Sequence, residues 1–210
     1  MKKNLKSILA MLFLTLTIAG CYPGGPDYAD EYDIVYTNYD KDFNFGGKKF
    51  YAMPDSIVKI TGDVVQGEPL QFIKQVYANT ILNRIKSNMA SRGYTLVTDT
   101  SLADLFLVPS ALEVTTTTYY YGYYWDYYYG WYYGPSYGGW YYPYAVSTSY
   151  TTGSVIMNLV EKSNSNPSNK NRVVWVGIIN GLLEGSSTSY DARINKGVDQ
   201  AFTQSQYIHP

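Results

Sequence analysis

Two apolar runs on either side of a polar loop decide the fold of this chain. SVIMNLVEK occupies residues 154–162, RVVWVGIINGLL occupies residues 172–183, and SNSNPSNKN lies between them. Short runs rich in Val and Ile are typical of strands, and a loop of about nine residues can reverse the chain between two of them. The two runs therefore predict an antiparallel pair of strands.

Four other stretches predict further strands. They are DIVYTNYD at residues 33–40, KKFYAMP at residues 48–54, GYTLV at residues 93–97 and ADLFLVPSALEV at residues 103–114. The pair Gly46 and Gly47 indicates a turn between the first two of these strands. The last stretch is almost wholly apolar at first, so its first half is expected to be covered on both faces. Pro109 within it indicates a bulge or an edge position.

Two helices are predicted from apolar residues that repeat at helical spacing. The first runs from about Pro69 to Arg92, because proline suits the first helical position and Gly93 suits a left-handed end. Its apolar stripe consists of Ile73, Val76, Tyr77, Ile81, Leu82, Ile85 and Met89. The second helix follows a capping box of Thr188 and Asp191. Its apolar face consists of Ile194, Val198, Ala201 and Phe202.

The order of these elements predicts an α+β fold. Strands mostly follow strands, which favours a single mixed, mostly antiparallel sheet with two helices packed on it. A long hairpin-like insert rich in Tyr, Trp and Gly is expected to leave this domain after residue 114 and to carry aromatic ladders across its two strands.

The chain opens with an export signal. Three lysines precede an uncharged apolar run at residues 8–18, which is shorter than the roughly 20 residues that a spanning helix needs. The sequence IAGC at residues 18–21 resembles a bacterial lipobox, which implies cleavage before Cys21 and lipidation of its thiol with acyl chains such as palmitate. We assign residues 1–20 to a lipoprotein signal peptide, residues 21–33 to a flexible tether and residues 34–210 to the folded domain.

Cys21 is the only cysteine of the chain. The alternative to a lipobox is an ordinary secretory signal followed by an unrelated cysteine, and the position of Cys21 at the cleavage point argues against that alternative. A lipidated Cys21 leaves no thiol for a disulfide, so the domain is expected to fold without one. Two or more acyl chains anchor a protein stably to a membrane that it does not span.

The charge of the mature chain limits the classes of partner that it can bind. The signal contains three of the 16 basic residues and none of the 17 acidic ones, so the mature chain is mildly acidic, which argues against nucleic acid. Tyr22 follows Cys21, and by resemblance to enterobacterial sorting rules a residue other than Asp favours the outer membrane. The acidic residues at positions 27–33 resemble surface-export signals, or they form a solvated tether. A periplasmic and a surface-facing location therefore both remain open.

Few residues offer catalytic or metal-binding chemistry. The single histidine, His209, lies beside the C-terminus. We therefore predict no metal site, no cofactor and no catalytic triad. A third hypothesis is an enzyme that uses a pair of carboxylates, since such pairs hydrolyse glycosides. Its candidate residues are Asp40, Asp42, Asp104 and Glu113.

Residues 119–144 form a block in which 17 of 26 side chains are Tyr or Trp. Soluble monomers expose apolar patches of only a few hundred Å², so the block is expected to pack on itself, on the domain or on a partner. Three interpretations remain: a self-packed insert, a binding surface for glycan, peptidoglycan or protein, and contact with the lipid interface. Against a specific sugar site, the block has no Asn, Gln, Arg or Glu to orient hydroxyl groups.

Three pieces of the sequence resemble the DUF4136 lipoproteins, a domain of unknown function found behind bacterial lipoboxes. They are YDKDFNFGGKKFYAMPD at residues 39–55, ILNRIKSNMASRGYTLV with ADLFLV at residues 81–108, and RVVWVGIINGLL with SYDARINKGVDQAF at residues 172–202. The resemblance extends from about residue 33 to the C-terminus. It implies an exported lipoprotein with a compact domain, and it supplies neither an activity nor site residues.

These observations predict a non-enzymatic lipoprotein of the outer membrane with a structural or interaction role in the cell envelope. The alternative is a glycan- or peptidoglycan-binding module that uses the aromatic insert. Cys21 is the predicted lipidation site and membrane anchor. The predicted contact surface consists of Tyr124, Trp125, Tyr128, Trp131, Tyr133, Trp140 and Tyr142.

Overall fold

The computed structural model describes residues 35–61, 69–113, 140–144, 146, 153–161, 171–183 and 190–210. Its strands are β1 (Val35–Tyr39), β2 (Phe50–Ala52), β3 (Val58–Ile60), β4 (Thr95–Leu96), β5 (Leu105–Leu112), β6 (Trp140–Tyr141), β7 (Val155–Glu161) and β8 (Asn171–Ile179). Its helices are α1 (Gln75–Ser91) and α2 (Tyr190–Thr203), and a 3-10 turn occupies Thr100–Leu102.

The eight strands form one mixed sheet in the order β1-β8-β7-β5-β2-β4, with β3 beside β5 and β6 beside β8. The three long pairings, β1 with β8, β8 with β7 and β7 with β5, are antiparallel, whereas the short pairings of β2, β3, β4 and β6 are parallel. The predicted α+β fold with one mixed sheet is therefore confirmed. So is the antiparallel pair that the two apolar runs predicted.

Both faces of the central strands are buried. Side chains of a strand alternate between the two faces, so one set packs against the helices and the other set points away from them. The helix face includes Leu105, Leu107, Met157, Leu159 and Trp175. The second face includes Phe106, Val108, Ile156, Val160 and Val176. All eight residues of β5 are buried, which extends the predicted double coverage to the whole strand.

Helix α1 begins at Gln75, six residues later than predicted. The preceding residues are extended instead, since Lys59 N–H donates to Gln71 O at 2.7 Å and Ile73 N–H donates to Ile57 O at 3.1 Å. Pro69 is therefore not the first helical residue. The apolar stripe is correct at Ile81, Leu82, Ile85 and Met89, which are buried, but wrong at Val76, which is 61% exposed.

The end of α1 and the face of α2 follow the prediction. Gly93 has a φ of 93°, a left-handed conformation that costs glycine little, and it ends α1 as predicted. The four predicted apolar residues of α2 are all buried. Thr188, the first residue of the predicted capping box, lies outside the described residues.

A polar clamp joins the two helices. Arg84 Nε donates to Asp199 Oδ1 at 2.6 Å, the other arm of the guanidinium contacts Asp199 Oδ2, and Asn88 Nδ2 donates to Asp199 Oδ1 at 2.8 Å. The hydrogen bond from Arg84 lowers the pKa of Asp199, so the carboxylate stays charged at neutral pH. The clamp fixes α1 against α2 at the rim of the core.

Trp175 links the sheet to the C-terminal part of the chain. Its indole Nε1 donates to Ser205 Oγ at 2.8 Å, and its ring lies 5.5 Å from that of Phe202 in α2. A Cβ atom added to Gly177 would lie only 2.6 Å from the Trp175 ring and 3.1 Å from Met157. Glycine at position 177 therefore leaves the space that the indole fills.

Two details of the sheet differ from the prediction. β3 was not predicted, and it pairs with β5 in parallel from Val58 to Ile60. Pro109 lies in an inner strand rather than at an edge. Its pairing with Met157 of β7 is unbroken, and it falls between the residues of β5 that pair with β2 and those that pair with β3. Proline has no N–H group to donate, so it fits a position of β5 that has no partner strand on that side.

The predicted hairpin-like shape of the aromatic insert stays a prediction. Residues 119–139 of the block lie outside the described residues. The described part of the block, residues 140–144, returns to the sheet, where β6 pairs with β8.

We predict that Gly177→Ala lowers the free energy of unfolding by about 1–3 kcal/mol, because the added methyl group overpacks the Trp175 ring. Urea denaturation at pH 7 measures the change. Gly46→Ala is the control, since only the side chain of Asn44 lies near its added Cβ, and an effect within about 0.5 kcal/mol is expected there. Equal stability of the Gly177 variant and the unsubstituted protein would show that the indole is not confined as described.

Candidate functional site

The end of the aromatic block covers the second face of the sheet. We call residues 140–144 together with Val146 the aromatic cover. Trp140 is 6% exposed and belongs to the buried cluster of the second face, and Tyr142, Tyr144 and Val146 are partly buried against the same cluster. The rings of Tyr142 and Tyr144 meet edge to face at 6.0 Å. The cover therefore shields part of the second face, as the helices shield the other face.

β6 holds the start of the cover in a definite place. β1 pairs with β8 from Trp175 to Ile179, and β6 pairs with the first residues of β8, Trp140 opposite Asn171 and Tyr141 opposite Arg172. β6 thus continues the edge of the sheet where β1 has ended. The cover is therefore held by the sheet itself as well as by apolar packing.

Polar side chains lie beneath the cover at the middle of the second face. Asn158 of β7 is fully buried, and the Tyr142 hydroxyl donates to its Oδ1 at 3.0 Å. Val108 lies directly opposite Asn158, and Ser110, also fully buried, is two residues further along β5. Asn158 and Ser110 are thus diagonal neighbours on one face, within about 8 Å of each other. We call Ser110, Asn158, Tyr142 and Tyr144 the polar centre.

Three buried atoms of the polar centre lack a hydrogen-bond partner within the described part of the chain. They are Ser110 Oγ, Asn158 Nδ2 and the Tyr144 hydroxyl. A contrasting buried serine, Ser154, does have a partner, since its Oγ lies 3.0 Å from Asn180 Oδ1. Unpartnered buried polar groups are rare because each one costs free energy. Their concentration in one layer marks the polar centre as the candidate functional site.

The polar centre carries no net charge. Burial has the largest effect on the Tyr144 hydroxyl and raises its pKa far above the ordinary value, and the neighbouring Tyr142 and Asp40 raise it further. The hydroxyl therefore stays protonated. Asp40, 4% exposed, is paired on the adjoining rim with Arg172. Asn158 and Ser110 are neutral. The arrangement offers hydrogen bonds and aromatic surface to a neutral group rather than attraction to an ion.

Of the predicted contact residues, the structure describes two. Trp140 is buried in the second face and Tyr142 is hydrogen-bonded to Asn158, so both contact the domain itself. Cys21, Tyr124, Trp125, Tyr128, Trp131 and Tyr133 lie outside the described residues, and their roles stay predictions. Sequence analysis did not select Ser110 or Asn158. The available signal was a polar residue inside each of two otherwise apolar strands.

Three of the four candidate carboxylates are held in contacts with other parts of the domain. Asp104 Oδ2 accepts hydrogen bonds from Lys49 N–H and Phe50 N–H, both at 2.9 Å, and Glu113 is paired with Lys59 at 2.8 Å. Asp104 and Glu113 flank opposite ends of β5, about 30 Å apart for an extended strand. Asp40 is paired with Arg172, and Asp42 is exposed.

The described residues also lack two other features. No group of three or more His, Cys, Asp or Glu side chains comes together there in a way that could hold a metal ion. Neither described helix has both the length and the apolar composition needed to cross a membrane.

Comparison with known proteins identifies one family. The model of the domain of unknown function DUF4136 matches residues 35–205. The chain is similar to a DUF4136 family protein of known crystal structure from Bacteroides thetaiotaomicron, with 32% identity and a TM-score of 0.64, over 84% of this chain and 97% of that one. The family resemblance of the sequence is thereby confirmed.

Two other solved structures are less similar. A PDZ domain protein from Parabacteroides distasonis shares 14% identity with a TM-score of 0.45, over 83% of this chain and 36% of that one. A PelC dodecamer from Paraburkholderia phytofirmans shares 14% identity with a TM-score of 0.33, over 80% and 95%. Neither likeness bears on function. A search of curated proteins finds no match.

We predict that Tyr142→Phe lowers the free energy of unfolding by about 1 kcal/mol, because it removes the hydrogen bond to Asn158 and leaves another buried polar atom without a partner. Tyr144→Phe is the matched control. Its hydroxyl has no partner among the described residues, so its removal is expected to leave stability unchanged or to raise it. Urea denaturation compares the two variants, and equal losses of stability in both would contradict the arrangement of the cover.

Proposed function

The chain belongs to the DUF4136 family, and we propose that it is a lipid-anchored protein of the outer membrane with a non-enzymatic structural or interaction role in the cell envelope. The sequence supports the anchor through the charged start, the short apolar run and the IAGC lipobox at residues 18–21. Tyr22 after Cys21 supports the outer membrane as the destination. The structural contacts of Asp40, Asp104 and Glu113 favour a role other than catalysis.

The register of the sheet places the first junction of the insert at the end where β1 begins, whereas its second junction, at Trp140, lies at the other end of β8. Val35, which follows the tether, lies opposite Ile179, and Ile179 lies opposite Val155, which in turn lies opposite Ala111. The tether and the insert after Glu113 thus join the sheet at the same end. Three strand spacings separate the two junctions, about 15 Å.

One observation carries the proposal of an interaction role. The described end of the aromatic block is part of the folded domain, because Trp140 is buried and Tyr142 bonds to Asn158. The block is therefore joined to the sheet at Glu113 on one side and at Trp140 on the other. An insert fixed at both ends is better suited to present a surface than a segment that is free to unravel.

A second candidate function is binding of a glycan or of peptidoglycan. The aromatic block alone lacks amide side chains that could orient sugar hydroxyls. The sheet beneath the aromatic cover supplies one in Asn158, beside the hydroxyls of Ser110, Tyr142 and Tyr144. Aromatic rings next to a few polar groups are the usual composition of a small-molecule site. This juxtaposition favours glycan over the other ligand classes.

The proposal is tested by replacing residues 119–139 with a short Gly/Ser turn while keeping Trp140–Tyr144, so that the cover stays in place. The full lipoprotein and the variant are each sedimented with peptidoglycan sacculi, with insoluble polysaccharide and with lipid vesicles. We expect the parent to sediment with at least one of these and the variant to lose about tenfold or more in affinity. Urea denaturation checks that both fold equally well.

Two controls accompany this experiment. Replacement of the polar loop at residues 163–170 with Gly/Ser of equal length should leave binding unchanged. Cys21→Ala should abolish palmitate incorporation and recovery with the outer membrane in a Gram-negative host, while binding to sacculi or polysaccharide persists. If the variant with the replaced block sediments as well as the parent, or if the parent binds none of the three materials, the proposed interaction role is wrong.

A further inference from the structure

The polar centre has features of a binding site rather than of a core. Core faces of sheets are filled with apolar side chains, yet the second face carries Asn158 and Ser110 at its middle, both fully buried. Val176 separates Asn158 from a second amide, Asn38 of β1, in the same row across the sheet, about 10 Å away. The structure thus places neutral polar groups in a row under aromatic rings.

The unpartnered atoms define what a ligand must supply. Asn158 Nδ2 can only donate, so the ligand must present an acceptor to it. Ser110 Oγ and the Tyr144 hydroxyl can each donate or accept, and neither has a partner among the described residues. A ligand that carries several groups able to accept and donate, such as hydroxyl or acetamido groups, can bond to these atoms.

The surroundings of these atoms select a neutral ligand with an apolar surface. The acidic and basic side chains of the adjoining rim, Asp40 and Arg172, neutralise each other. The rings of Tyr142 and Tyr144 lie over the centre and offer flat apolar area. A sugar ring combines hydroxyl groups at its edge with apolar C–H groups on its faces, and it matches both properties.

We propose that the polar centre binds one ring of a neutral glycan, with Asn158 and Ser110 bonding its polar groups and Tyr142 and Tyr144 packing on its face. This inference rests on the glycan-binding candidate function and assigns its specificity to the sheet. For the ligand to enter, the Tyr142 hydroxyl must leave Asn158. A ligand hydroxyl then replaces it as the hydrogen-bond donor to Asn158 Oδ1, so only one neutral hydrogen bond is exchanged. The partly exposed rings of Tyr142 and Tyr144 form the outer layer that moves aside.

The test uses chitotriose, a neutral trimer of N-acetylglucosamine, and cellotriose, its counterpart without acetamido groups. Each is titrated into the full lipoprotein by calorimetry. We expect binding of at least one trimer, and about tenfold or greater weakening in Asn158→Leu and in Ser110→Ala, since each variant removes one hydrogen bond to the ligand. Ser110→Ala should unfold at the same urea concentration as the parent or a higher one, because it removes a polar atom that has no partner among the described residues. Asn158→Leu also removes the acceptor of the Tyr142 hydroxyl, so its urea midpoint should fall by about as much as that of Tyr142→Phe.

Ser154→Ala is the matched control. Ser154 is as fully buried as Ser110, but its hydroxyl is paired with Asn180. It should lower the urea midpoint and leave the affinity for the trimer unchanged. If the parent binds neither trimer, if Asn158→Leu and Ser110→Ala bind as tightly as the parent, or if Ser110→Ala lowers the urea midpoint as Ser154→Ala does, the polar centre is internal structure and the inference is wrong.

The results of trimer titration can be told apart from those of the experiment that replaces residues 119–139. Sedimentation with sacculi or polysaccharide that depends on residues 119–139, together with unchanged trimer binding in the Asn158 and Ser110 variants, would overturn this inference and leave the proposed interaction role intact. Loss of trimer binding in those variants, together with sedimentation that does not need residues 119–139, would support the site and overturn the role of the block.

Discussion

The structure depends on one constraint: the three central strands of the sheet are buried on both faces, whereas the two helices lie on only one. Trp175 and its neighbours fill the helix face, and the indole bonds to Ser205 beyond α2. Phe106, Ile156 and Val176 need an equivalent layer on the second face. The aromatic cover contributes to that layer, together with Tyr36, Leu70 and Val97. Part of a segment that looks like a low-complexity insert therefore belongs to the hydrophobic core.

Local signals in the sequence predicted the elements, and they failed where distant residues decide the structure. The apolar runs at residues 154–162 and 172–183 and the left-handed Gly93 are local features, and each was predicted correctly. The late start of α1 depends on pairing of residues 71–73 with residues 57–59, which helical spacing cannot reveal. The burial of Trp140 likewise depends on where the sheet places the edge of β8.

The candidate site could likewise be predicted from the sequence only where local signals determine it. Composition indicates that residues 119–144 need a surface to pack on, but it does not say which. Asn158 and Ser110 stand out only after the strand register brings them to one face beneath Tyr142. An apolar residue at position 110 would remove an unpartnered polar atom and is expected to stabilise the sheet. Retaining polar groups there at a cost in stability is the pattern expected of a functional site.

Nuclear Overhauser measurements on the isotopically labelled protein test most directly whether the aromatic cover docks on the second face of the sheet. We expect cross-peaks between the ring protons of Tyr142 and the Nδ2 protons of Asn158, and between Trp140 and the start of β8. The ring protons of Tyr142 should also be shifted by the neighbouring Tyr144. Sharp Tyr142 and Trp140 resonances at the positions of unstructured peptides, without cross-peaks to β7 or β8, would contradict the account.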